Sequence, residues 1–149
     1  MTATITEITN EQYDLFCGHE VGHALWTPIE GMVLGIKEKI NSGVLNVVED
    51  SRIERKIKNK YPGLRNSFIK AYSQLYKDNF FGTKGADVNS FNFIDRINLF
   101  CKVGVSLGIK FNQTERDLLN QVESTENYDD VIEVSKRIID YMKQQQKEN

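Results

Sequence analysis

Along most of this chain the apolar residues recur three and four positions apart, the spacing that gathers them on one face of a helix. Residues 3–8 are the exception: Thr alternates there with Ile or Ala, a β-favouring pattern that predicts at most a short N-terminal strand. Thr9-Asn10-Glu11-Gln12 then has the form of a capping box, in which the side chain at each end accepts the other's backbone N–H. It predicts a helix from about 10 to 26 carrying Tyr13, Leu15, Phe16, Val21, Ala24 and Leu25. That helix should stop at Trp26-Thr27-Pro28, because a residue before proline is pushed out of the α region.

From Gly31 to Gly43 the signal is weaker and fits a short helix or loop-helix, closed by Asn41-Ser42-Gly43. A longer helix is expected over 44–60, ended by Tyr61-Pro62-Gly63, and Phe68, Ile69, Tyr72, Leu75 and Tyr76 mark one face of another over 64–78. Helical spacing returns over 91–103, while 103–111 is ambiguous. Asn112-Gln113-Thr114-Glu115 repeats the capping-box pattern and opens a helix with Leu118, Leu119 and Val122. A last helix, about 128–145, precedes a polar tail at 146–149. The expectation is one compact, mainly α domain over residues 1–145.

Composition narrows the functional classes. A chain of 149 residues with 40% hydrophobic content can bury a core, and 19 Lys and Arg against 21 Asp and Glu leave no global field for nucleic acid or an anionic membrane. No apolar run approaches the ~18 residues of a membrane span and no signal peptide is visible, which predicts a cytoplasmic protein. Cys17 and Cys101 read as reduced thiols, small and buried in the core. Arg52, Arg55, Lys56, Lys58 and Lys60 could touch phosphates, but they spread around their helix and read as a solvated surface, so nucleic acid is not an expected partner.

The candidate chemistry lies in the first helix, at His19-Glu20-Val21-Gly22-His23. Positions i and i+4 project from one face, so two imidazoles can reach one tetrahedral ion at about 2.0–2.1 Å, with the intervening glutamate placed to take a proton from a metal-bound water. These are the chain's 2 histidines; two placed at random would fall four apart in roughly one chain of this length in a hundred. Gly18 and Gly22 each cost a helix about 1 kcal/mol relative to Ala, which predicts that other segments approach this helix closely.

No third histidine remains, so the third ligand is expected from a carboxylate, with Cys101 the weaker option. Glu49 and Asp50 lie on the next strong helix. Ile53, Ile57 and Tyr61 define the buried side of its second half; Asp50 and Glu54 fall close to that side and Glu49 about a quarter turn off. Register favours Asp50, with Glu54 hydrogen-bonded behind a histidine, whereas the longer reach of glutamate and its frequency as a gluzincin ligand favour Glu49. Both remain candidates, and the one that does not bind metal should accept a hydrogen bond or pair with Arg52 or Lys56.

The blocks GHEVGHALWTP, LNVVEDSRIERKIKNKYPGLRNSF, FFGTKG and NFIDRINL, spanning about residues 13–110, resemble the predicted zinc metallopeptidases of tailed phages of the T-even type. The acidic helix is similar to one in proteins linked to von Willebrand factor A domains, and this chain is expected to be a short member or a fragment without that domain. The resemblance implies a gluzincin-like fold reduced to its helices, one zinc per chain held by His19, His23 and the acidic pair, Glu20 as general base, and a peptide or protein substrate in the host cytoplasm. Tyr61, Tyr72, Tyr76 and Arg52 are candidates for the donor to the developing oxyanion. The alternative is a non-catalytic zinc protein that binds a host or virion partner, although a purely structural site has no need of Glu20.

Overall fold

A computed structural model describes residues 7–148 and builds them from seven α-helices: α1 (Asn10–Trp26), α2 (Ile29–Lys37), α3 (Ser42–Lys60), α4 (Leu64–Lys77), α5 (Phe93–Lys102), α6 (Gln113–Glu123) and α7 (Tyr128–Glu148). Among the described residues there is no strand; most of the β-favouring stretch lies outside them, and Glu7 and Ile8 are irregular. No helix of the described residues is long and apolar enough to cross a membrane.

Both capping boxes form, Thr9 with Gln12 and Asn112 with Glu115. The ambiguous stretch after α5 resolves into a short 3-10 turn at Val105–Leu107, flanked by Gly104 and Gly108 at φ 102° and 64°, values that only glycine adopts freely. Helix α7 runs on through most of the polar tail, because Lys, Gln and Glu are good helix formers and an exposed extension needs no packing.

Helix α3 is the central element. Its first half joins α5, α6 and α7 around Val48, Ile97, Val122, Val131 and Ile138, and its second half joins α1 and α4 around Leu15, Ile57, Phe68 and Tyr72. Helix α1 reaches this second core through its small residues. A Cβ on Gly18 would lie 3.1 Å from the Phe68 ring, and one on Gly22 would lie 3.0 Å from Ile53 Cδ1 and 3.3 Å from the Ile53 carbonyl oxygen. Those contacts set α1 against α3 and bring the face bearing His19 and His23 onto the middle of α3.

Close approach through glycines turns neighbouring side chains outward. Tyr13, Phe16, Val21 and Leu25 are exposed, and so is Cys17, which corrects its expected place in the core. Ile69 is exposed as well, its expected place on the buried face of α4 being taken by Ala71.

The second capping box does more than start a helix. Both Glu115 carboxylate oxygens accept from the Arg96 guanidinium, at 3.0 and 2.6 Å, and Oε1 also accepts the Asn112 N–H while Oε2 accepts the Tyr141 hydroxyl. Burial alone would push this carboxyl up, but those donors hold it below its ordinary value. A lowered folded-state pKa contributes stability that is present above the ordinary value of 4.5 and is lost as pH falls through the folded value. Glu115→Gln should therefore lower stability by about 1.5–3 kcal/mol at neutral pH, with the gap to the native chain closing in acid. Urea titrations at pH 7 and below pH 4 measure it; a gap independent of pH would contradict the assignment.

Candidate metal centre

His19 and His23 stand one helical turn apart on α1, ring centroids 4.6 Å apart and planes at 74°. Both direct Nε2 at one oxygen of α3: Asp50 Oδ1 lies 3.0 Å from His23 Nε2 and 3.5 Å from His19 Nε2. The three donor atoms all fall within 4.8 Å of one another. Donors on a tetrahedral ion at about 2.0–2.1 Å are roughly 3.3 Å apart, so two imidazoles and a carboxylate at these separations fit zinc in both chemistry and spacing.

Each donor is held from behind. His19 Nδ1 lies 3.3 Å from Glu54 Oε2, and Glu54 Oε1 accepts the Tyr72 hydroxyl at 2.6 Å. His23 Nδ1 lies 2.8 Å from Thr27 Oγ1, which in turn donates to Glu49 Oε2 at 2.7 Å. Asp50 Oδ2 accepts from Lys102 Nζ at 3.1 Å. Partners on the outer nitrogens leave Nε2 of both rings as the free donor atom and fix the ring orientations. The Glu54 hydrogen bond raises the His19 pKa, with burial working against it and Asp50 adding to the rise. Burial, then the Glu54 charge, pushes the Tyr72 phenol far up, so it stays a hydrogen-bond donor and never an anion in the accessible range.

The structure separates the two acidic neighbours. Asp50 faces the histidines, whereas Glu49 turns into the protein and pairs with Arg52, whose Nε and Nη2 donate to it at 2.6 and 2.9 Å. That is the helix salt bridge expected of the acid that does not meet the histidines. Arg52 is buried, its remaining donors going to the backbone carbonyls of Trp26 and Glu126, so it is neither part of a solvated basic surface nor free to face an oxyanion.

Tyr61 corrects another expectation: it is exposed at the C-terminal end of α3, beside Asp14, Cys17 and Val21, and away from the histidines. Tyr72 is present at the site, but its hydroxyl is committed to Glu54. Cys101 is not in the cluster, and burial pushes its thiol up to about 11, which disfavours a thiolate ligand.

Glu20 is exposed and shares a cavity of about 390 Å³ with His23, Ala24, Thr27 and Met32. Two residues at the site were not anticipated. Thr27 lies four residues after His23, the spacing that relates the histidines themselves, so the same rule could have found it. Lys102 is 52 residues from Asp50 and reaches it only through the packing of α5 on α3, for which no local signal exists.

Neither protein-family models, nor curated proteins, nor solved structures yield a match to this chain.

Proposed function

We propose that this protein is a zinc-dependent metallopeptidase in which His19, His23 and Asp50 hold the metal and Glu20 is the general base. The observation that carries the reading is the convergence of three donor atoms, each oriented by its own partner, beside an exposed glutamate. Structural zinc sites are closed by four protein ligands, whereas catalytic ones use three and keep a position open, so this donor set favours chemistry over a clip between helices. The resemblance to phage metallopeptidases points the same way and rests on the sequence blocks alone.

Zinc at these donors would polarise a peptide carbonyl and lower the pKa of water towards ~7. Glu20, beside His23 on the wall of the cavity, accepts one proton from water as the oxygen adds to the carbonyl carbon. Its carboxyl then delivers that proton to the amide nitrogen as the C–N bond breaks. The water's hydroxyl ends on the new carboxyl group and its hydrogen on the new amine. Glu54 and Thr27 keep the imidazoles aligned throughout, and Tyr72 keeps Glu54 in place.

Protein purified without chelators or metal-affinity resin should contain about one zinc per chain. It should cleave members of a broad peptide library in a reaction stopped by a chelator and restored by zinc. Substoichiometric zinc would sink the metal site; full zinc occupancy with no cleavage would sink the peptidase and leave a metal-containing protein-binding module.

A further inference from the structure

The donor cluster lies between two concavities. His23 and Glu20 line the first. The second, about 310 Å³ between α3, α5 and α6, meets the cluster at Glu54, which holds His19, and at Lys102, which holds Asp50. Its charge is unusual for an interior-facing wall. Arg55, Lys58 and Lys102 line it against two acids, Glu54 and Glu123. Both Glu54 oxygens are engaged by Tyr72 and His19, and Glu123 is exposed at the end of α6.

Among the described residues neither Arg55 nor Lys58 forms an ion pair. Arg55 is half-buried and donates only to the carbonyls of Val122 and Thr125 and the Thr125 hydroxyl. Lys58 is half-buried too, its ammonium 5.8 Å from the centre of the Phe68 ring. Glu123 and Glu126 lie near enough to attract Arg55, but both are exposed and neither makes contact with it, so a half-buried guanidinium and ammonium lack a contacting counter-charge, a cost that a bound anion would offset. A carboxylate suits the planar Arg55 guanidinium and the Lys58 ammonium, and the cavity reaches the donor cluster through Glu54 and Lys102.

We infer that the cavity between α3, α5 and α6 anchors a carboxylate of the substrate, so that the enzyme acts on peptides bearing an acidic group beside the scissile bond. The inference rests on the peptidase reading for its position next to the reacting bond, and the cavity itself can be tested without catalysis. The probes are hexapeptides with amidated C-termini carrying Glu, Gln or Lys at each position in turn, together with the Gln series bearing a free C-terminal carboxylate. Their binding is measured by titration calorimetry to zinc-loaded Glu20→Gln protein, alone and combined with Lys58→Glu or with the milder Lys58→Gln.

At least one Glu peptide, or the free-carboxylate series, should bind about tenfold or more tighter than its neutral counterpart. Which of the two does so identifies a side-chain or a terminal carboxylate as the anchored group. Lys58→Glu should abolish the preference and Lys58→Gln reduce it, with zinc content unchanged in both. Equal affinity for the Glu, Gln and Lys peptides, or no binding by any of them, would overturn the inference. Acid-selective binding by a protein whose native form cleaves nothing would defeat the peptidase reading and leave the cavity standing. Zinc-dependent cleavage indifferent to acidic residues would do the reverse.

Discussion

Glu20→Gln is expected to retain its zinc while kcat/KM for any cleaved peptide falls by about 10²–10⁴, the contribution typical of a positioned general base. Glu20 is not among the three converging donors, so removing its charge leaves them untouched. The amide of Gln fills the same space on the cavity wall beside His23 but cannot take a proton from water. Metal analysis and cleavage rates on the same preparation make the comparison. Equal rates in the native and variant chains would refute the mechanism even with zinc present. Loss of zinc in the variant would instead move Glu20 into the ligand set.

Asp50→Ala and Glu49→Gln should fail in opposite ways, although the two acids are adjacent. Asp50 supplies the oxygen that both histidines face, and its side chain is 16% exposed, so its loss would remove the proposed third ligand but leave Lys102 able to turn to water. Asp50→Ala should lose stoichiometric zinc, while the metal-free fold stays close to that of the metal-free native chain. Glu49 and Arg52 are 4% and 3% exposed in their side chains, and neutralising the acid leaves a buried guanidinium without its counter-charge. Breaking such a pair from one side costs about 3–5 kcal/mol. Glu49→Gln should therefore unfold at distinctly lower urea concentration than the native chain when both are metal-free. The amide can still accept from Thr27, so zinc should remain measurable in the folded protein. Zinc retained in Asp50→Ala and lost from a folded Glu49→Gln would exchange the two assignments.

Much of this site could be read along the chain. The capping box at Thr9 starts α1 where the histidines then share a face, and the glycines at 18 and 22 do mark the close contacts with Phe68 and Ile53. Register also placed Glu54 behind a histidine, as observed. Other expectations failed for one reason. Tyr61 continues the apolar stripe of α3, and Cys17 and Ile69 are ordinary core residues by type, yet all three are exposed. A helical stripe says which residues can share a face, but how far a neighbouring helix extends over that face is set by the neighbour.

The sequence by itself determined the helices and the paired imidazoles and favoured a carboxylate over Cys101 as their partner, because these depend on a 3.6-residue repeat and on residue chemistry. Only the tertiary structure decided which of Glu49 and Asp50 faces the histidines. Arg52 draws Glu49 inward because its other hydrogen bonds end on Trp26 and Glu126, 26 and 74 residues away, and Lys102 reaches Asp50 from α5 across 52 residues. Interactions over such separations follow from how the helices pack, and the local periodicity that places two adjacent carboxylates carries no information about which one a distant cation will claim.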